Sequence, residues 1–308
     1  MSDIAEFDLQ GFSHAISRAV EGTGGFVVAV KSAAYRVTSG VAFREDLIAV
    51  NNHLLRREGI VPIHLPDGAE AEAKILGRDP SVDVAILQIQ GGKLQIPEAE
   101  SESQQRAGAL AIVVGRTVDS GLSASLGVLG AVAGSRRTWR GGELNRFLRL
   151  DVNLYPSQAG AAVVSASGRF LGMATAAMLR HSALAVPLET LNRVSNELLR
   201  EGRIRQGYLG VGLQPVRIPR HLQSKSSLAD DTGLMVMSVE PGTSAEDAGL
   251  QLGDILVAAG KSPLGDTETL LGVLRGDAVG NPLTLTVFRA GNIVEVQIQV
   301  ADRGAKRN

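Results

Sequence analysis

Two side chains of this sequence are of types that can do proton chemistry, and both lie at the edges of short apolar runs. His53 follows one such run in Ala49-Val50-Asn51-Asn52-His53-Leu54-Leu55, and Asp83 opens the next in Asp83-Val84-Ala85-Ile86-Leu87. An imidazole oriented by a carboxylate is a general base, and beside a hydroxyl it can raise a nucleophile. Taken singly, each has a plainer use: a histidine after a strand is commonly structural, and an aspartate before one is commonly a turn residue. A third stretch, Asp151 to Thr175, reads DVNLYPSQAGAAVVSASGRFLGMAT. Its pattern is strand, tight loop of small residues, strand, Ser167-Gly168 turn, strand. Small residues let a loop backbone approach another group closely, and Ser157 is the hydroxyl in that loop.

The elements around these residues read as β. From Phe26 to about Gln90 the chain gives FVVAV, YRVTSGVAF, LIAVNNH, IVPIHL, EAKIL and VDVAILQI, separated by Gly, Asp and Pro. Short strands at that spacing predict a barrel or sandwich. A second series runs from about Ala107 to Leu188. Ahead of both, residues 8–21 set Leu9, Phe12, Ile16 and Val20 at spacings of three and four, which predicts an amphipathic helix ended by Gly22, Gly24 and Gly25. Arg193 to Glu201 predict a helix capped by Gly202. Ser135 to Gly142 (SRRTWRGG) reads as a solvated loop tip carrying the single tryptophan, Trp139.

Composition narrows the function classes. At 308 residues the chain holds two or three domains of about 100–150 residues each. Glycine, at 36 residues, is well above the usual ~7% and suits a turn-rich β chain. A formal net charge of −1 leaves no electrostatic footprint for nucleic acid or an anionic membrane. The absence of cysteine excludes disulfides, thiolate metal sites and a cysteine nucleophile. The five histidines are scattered, with no His-x-x-x-His pair, so no metal is implied. No apolar run reaches the ~18 residues of a membrane span. The acidic start, MSDIAEFDLQ, lacks the pattern of a secretory signal. As the sequence stands it reads as cytoplasmic, and as periplasmic or envelope if the N-terminus has been trimmed.

The Asp151–Thr175 segment resembles the nucleophile loop of the HtrA (DegP-like) branch of the chymotrypsin-fold serine proteases. That family writes Asp, a few residues, Pro-Gly-Asn-Ser-Gly-Gly-Pro, two apolar residues, a turn ending in Gly, and an apolar strand. Asp151, Pro156, Gly160, Gly168 and Gly172 match it. Asn51-Asn52-His53 resembles the family's Thr-Asn-Asn-His, and Gly77-Arg78-Asp79-Pro80 through Asp83 resembles Gly-Arg-Asp-Pro-x-x-Asp. The resemblance thus makes His53 the general base and Asp83 its orienting carboxylate, in the order His, Asp, nucleophile. The nucleophile position falls on Ala159, which carries no hydroxyl. The oxyanion loop, Gly-Asn in the family, reads Ser157-Gln158-Ala159, and Ala161-Ala162 replace Gly-Pro. A loop requiring positive φ at 157 would strain a serine there. Ser182 to Pro187 resembles the family's strand beside the specificity pocket.

After Arg203-Ile204-Arg205-Gln206-Gly207 the pattern changes. Tyr208-Leu209-Gly210-Val211 resembles the carboxylate-binding loop of PDZ domains, and Gly233 to Leu256 matches the rest of a bacterial one. Thr267 to Arg275 would be the groove helix, with Leu270, Leu271 and Leu274 on one face. The resemblance therefore implies a mainly β chain: two six-stranded antiparallel β-barrels, chymotrypsin-like, then a C-terminal PDZ domain, a β-sandwich with two helices. It divides the chain into a protease-type domain at 1–203 (helix 8–21, barrel one 26–100, barrel two 107–190), a PDZ domain at 204–303 and a tail at 304–308. The basic stretch Ala301 to Asn308 reads as frayed. The implied function is a serine protease homologue that is non-catalytic, binding peptide C-termini or unfolded protein in a regulatory or chaperone-like role. The alternative is an active endopeptidase with Ser157 as displaced nucleophile. No cofactor is implied; partners would be peptides, further copies of the chain (a trimer by resemblance) or an active relative.

Overall fold

A computed structural model describes residues 8–34, 36–119, 121–179, 181–219 and 231–303. They form two compact units, residues 1–136 with 143–204, and residues 137–142 with 205–308.

The first unit opens with helix α1 (Leu9–Thr23). Asp8 caps it, its carboxylate accepting the Gly11 N–H at 2.8 Å, which satisfies one of the orphan amides of the first turn. Ile16 and Val20 pack on the main core, whereas Leu9 is exposed. The six strands that follow are β1 (Val27–Ala33), β2 (Arg36–Arg44), β3 (Leu47–Asn51), β4 (Ile60–His64), β5 (Glu70–Asp79) and β6 (Val84–Ile89). They close as an antiparallel barrel in the order β1-β2-β3-β6-β5-β4. Val27 to Val30, Leu47 to Val50 and Val84 to Leu87 are wholly buried runs; branched side chains fit the pleated, enclosed wall.

A second barrel uses β7 (Leu110–Thr117), β8 (Gly121–Ala133), β11 (Phe147–Asp151), β12 (Ala162–Val164), β13 (Phe170–Thr175) and β14 (Ala183–Val186), in the order β11-β14-β13-β12-β7-β8. The short strands β9 (Arg136–Arg137) and β10 (Glu143–Leu144) flank the loop 138–142. Residues 137–142 group with the second unit rather than with the barrel, so this stretch is more than a free loop tip, although Trp139 itself is exposed. Helix α2 (Leu188–Glu201) starts five residues before the Arg193 that its pattern suggested. Pro187 sits at its N-cap and Leu191, Val194 and Leu198 enter the core. Gly202 ends it in the left-handed region at φ 71°.

The second unit carries a sheet in the order β16-β17-β18-β20-β21, built from β16 (Val211–Arg217), β17 (Thr232–Val239), β18 (Ile255–Ala259), β20 (Pro282–Arg289) and β21 (Asn292–Gln299), with β19 (Ser262–Pro263) paired to β18. Among the described residues it carries two short helices, α3 (Ser244–Asp247) and α4 (Thr267–Val273). Leu234, Leu256, Leu285, Val287 and Ile298 form its core. The stretch read as frayed is ordered over its first residues: β22 (Ala301–Asp302) pairs antiparallel with β15 (Gly207–Tyr208), and the Arg303 N–H donates to the Gln206 carbonyl at 2.8 Å. Two additional backbone pairings overcame the polar composition there. Residues 304–308 lie outside the described residues, as do 220–230.

The fold is therefore mainly β: two closed six-stranded antiparallel barrels, then an antiparallel sheet that carries two short helices among the described residues.

Candidate functional site

His53 lies in the turn just after β3, and Asp83 immediately before β6; β3 and β6 are neighbours, with Asn51 opposite Val84. Their pairing register therefore sets the two residues side by side. His53 Nδ1 lies 3.0 and 2.9 Å from the two carboxylate oxygens of Asp83. A carboxylate accepts, so Nδ1 is the ring nitrogen that donates to Asp83, which leaves Nε2 as the nitrogen directed away from it. The ring is partly exposed, 34% by side chain, while Asp83 is sealed at 1%.

Asp83 has two further donors. The backbone N–H of His53 reaches Oδ1 at 2.9 Å, and the Thr175 hydroxyl donates to Oδ2 at 2.6 Å. Asp83 itself has φ 57°, a left-handed conformation that aspartate tolerates better than most residues. Thr175 is wholly buried at the end of β13. It escaped the sequence reading although it closes the Asp151–Thr175 segment. The turn carrying His53 is braced from below by Arg78 on β5. That guanidinium donates to the Asn52 side-chain oxygen at 3.3 Å, to the Leu55 carbonyl at 2.7 Å and to the Arg57 carbonyl at 2.6 Å.

The small-residue loop of barrel two meets barrel one at Ser39. Ala159 carbonyl accepts the Ser39 N–H at 3.0 Å, and the Ser39 hydroxyl donates to the Ser157 carbonyl at 2.7 Å. Gly160 has φ 76°, and a Cβ there would stand 2.3 Å from the Ser39 carbonyl and 3.6 Å from the Asn51 nitrogen. Only glycine allows that approach. Asn51, two residues before His53, donates from Nδ2 to the Ala174 carbonyl at 3.2 Å, the same carbonyl that receives the Gly160 N–H at 3.1 Å. So the loop is held against the strand that leads into His53.

The loop itself is wound as a 3-10 turn over Pro156–Gln158, with Ala159 following in extended conformation. Ser157 does not take positive φ; the positive-φ residue of the loop is Gly160. The Gln158 N–H donates to the Tyr155 carbonyl at 2.9 Å and the Ala159 N–H to the Pro156 carbonyl at 3.4 Å. Gln158 points inward, 1% exposed. Its Oε1 accepts from the Ser125 hydroxyl at 2.9 Å and from the Tyr155 N–H at 3.2 Å. The Gln158 and Ala159 amides are thus bonded within the loop. Ala159 contributes a methyl group, and Ser157 is half-buried.

In the second unit, a pocket of about 210 Å³ runs between β16 and α4. Leu209, Gly210, Val211, Leu270, Leu271 and Leu274 line it, joined by Tyr208. Leu209, Leu270 and Leu274 are buried in the core, while Leu271 is 36% exposed. Gly210 has φ 88°, and a Cβ there would enter the Thr243 side chain. The Leu209 and Gly210 carbonyls accept from Ala245 and Glu240. Among the described residues no acceptor takes the Leu209 or Gly210 N–H. β16 is a sheet edge, with β17 as its single neighbour in the order.

The trypsin-like peptidase domain family matches residues 38–173, and the PDZ domain family matches residues 207–300. A probable periplasmic serine endoprotease, DegP-like, from Brucella suis is 27% identical over 271 residues, covering 85% of this chain and 52% of that protein. The chain therefore carries a trypsin-like peptidase domain followed by a PDZ domain, and it is similar to the HtrA (DegP-like) proteases. The serine endoprotease DegS of Haemophilus influenzae is 23% identical, with 86% and 76% of the two chains covered. Among solved structures, the HtrA-type protease AlgW with decapeptide superposes with a TM-score of 0.74 at 22% identity, over 94% of this chain and 99% of that one; this last likeness is one of fold. The chain spans about half the length of the DegP-like relatives it matches. The HtrA resemblance drawn from the Asp151–Thr175 segment is thus matched by both halves of the chain.

Proposed function

We propose that this HtrA-like chain does not hydrolyse peptide bonds and instead binds peptide C-termini or unfolded protein through its PDZ groove. The observation that carries the reading is the methyl group of Ala159, in a loop held against Ser39 and the strand that leads into the paired His53 and Asp83. Serine catalysis needs an Oγ that the imidazole can deprotonate and amides aimed at the developing oxyanion. Alanine supplies no Oγ, and the Ala159 N–H is turned toward the Pro156 carbonyl. A site lacking its nucleophile retains at most about 10³–10⁴-fold over water, from oxyanion donors and binding.

The groove supports the second half of the reading. Unpaired amides at Leu209 and Gly210 suit a terminal carboxylate, and the edge of β16 suits an added strand. A final apolar side chain would enter between Leu209, Val211, Leu271 and Leu274. The chain would act as a regulatory or holdase-type factor, as a homo-oligomer or in assembly with an active relative. The description of the Brucella suis relative as periplasmic favours the envelope over the cytoplasm.

Long incubation with unfolded casein, alongside titration of peptides with free and amidated C-termini, tests both halves. Intact casein with binding of the free acids is the expected outcome. Cleavage that disappears in Ser157→Ala would instead establish a displaced nucleophile.

A further inference from the structure

The pocket of the second unit has one charged lining residue, and it comes from outside the stretch that matches the PDZ family. The family match ends at residue 300, yet Arg303 lines the pocket together with Tyr208, Leu209 and Gly210. Its place is fixed by the backbone. β22 pairs Ala301 with Tyr208 and Asp302 with Gly207, and the Arg303 N–H then donates to the Gln206 carbonyl. The guanidinium lies over the Tyr208 ring, 5.5 Å from its centroid. That stacking retains the charge of arginine while limiting its rotamers. Tyr208 is in turn held by its hydroxyl to Glu240. Among the described residues no carboxylate forms an ion pair with Arg303.

A cation without an anionic partner thus stands beside two amides without acceptors, at one end of an apolar pocket. All three are donors. One group satisfies them together: a carboxylate, with one oxygen toward the Leu209 and Gly210 amides and the other toward the guanidinium. The carboxylate of a side chain within a bound strand would lie along β16, past Val211 toward Leu213, and so away from the Gln206–Leu209 end where Arg303 is fixed.

We infer that Arg303 is a specificity-determining residue of the groove, a second anchor for the terminal carboxylate of a bound peptide. This rests on the groove being a peptide site. It makes the preferred ligand a free C-terminal acid with an apolar last residue, and it makes binding weaken with salt. Glu240 accepts from the Tyr208 hydroxyl and so holds the aromatic platform.

The test uses the whole chain and fluorescein-labelled decapeptides of Gly, Ser and Ala ending in Leu, each as free acid and as amide. Binding of each to the parent chain, Arg303→Gln and Arg303→Lys is followed by anisotropy. The parent should prefer the acid. Arg303→Gln should weaken the acid by roughly tenfold, the scale of a charge-assisted hydrogen bond, and leave the amide unchanged. Arg303→Lys should fall between, keeping charge without the planar fork. Equal weakening of acid and amide by Arg303→Gln would mean that Arg303 only packs on Tyr208 and would overturn the inference. So would an unchanged preference for the acid, which leaves the groove reading standing on the two amides. A parent chain that binds neither peptide would overturn the groove reading and this inference with it.

Discussion

Asp83 holds His53 by both side chain and backbone: its carboxylate lies 2.9 Å from Nδ1 and accepts the His53 N–H at 2.9 Å. With Thr175 as a third donor at 2.6 Å, the carboxylate is occupied on both oxygens. Replacing it by alanine leaves a buried hydroxyl and an amide without their acceptor, each worth about 1–3 kcal/mol. Asp83→Ala should therefore lower stability by about 2–4 kcal/mol, read as a lower urea midpoint at unchanged slope. Asp83→Asn, which keeps one acceptor oxygen, should cost less. Equal midpoints for all three proteins would show that the pair carries no structural weight.

Restoring the nucleophile alone should not restore a protease. Ala159→Ser supplies Oγ, but Gln158 still fixes the turn through Ser125 and Tyr155, and the Gln158 and Ala159 amides still bond within it. One oxyanion donor is worth about 2.7–4 kcal/mol, or ~10²–10³ in rate. The triple change Ala159→Ser, Ser157→Gly, Gln158→Asn should exceed the single revertant by that order in casein cleavage. Equal rates would mean that the turn opens without help.

Gly160→Ala should be severe. The left-handed φ of 76° and the 2.3 Å approach to the Ser39 carbonyl leave no place for a methyl group. A loss above about 2 kcal/mol is expected, since strain and a backbone clash act together. Thermal unfolding would show it. A midpoint within one degree of the parent would mean that the loop has moved.

Within the groove, position decides which substitution is informative. Leu274 is 4% exposed and belongs to the core of its unit, so Leu274→Arg should unfold that unit by placing an unpaired charge inside. Leu271, 36% exposed, lines the same pocket. Leu271→Glu should keep the circular dichroism spectrum and weaken the Leu-ending free acid at least several-fold. Unchanged binding would place the ligand's last residue elsewhere.

What could be read in the sequence follows the range of the interactions. Apolar runs such as Val84 to Leu87 exposed the strands, because a wall buried on its inner side leaves period and turn signals. His53 and Asp83 were legible as motif residues, and β3–β6 register explains their meeting. Thr175 and Ser39 were not, because each acts through one hydroxyl aimed across the barrel interface at a residue distant in sequence. Gln158 was noted as a departure, but its role as a strut depends on Ser125, which no local pattern ties to it. The start of α2 was missed because Pro187 and the Leu188-Glu189 turn read as a strand end. The stretch from Ala301 reads as frayed because composition does not reveal the backbone pairings of Ala301 and Asp302 with Tyr208 and Gly207.

The most direct measurement is intact-mass analysis of the whole chain after prolonged exposure to a fluorophosphonate probe, with Ser157→Ala and Ala159→Ser/Ser157→Gly/Gln158→Asn as comparisons. The parent and Ser157→Ala should show no adduct, and the triple variant should gain one at position 159. An adduct on the parent that maps to Ser157 and vanishes in Ser157→Ala would contradict a non-catalytic site.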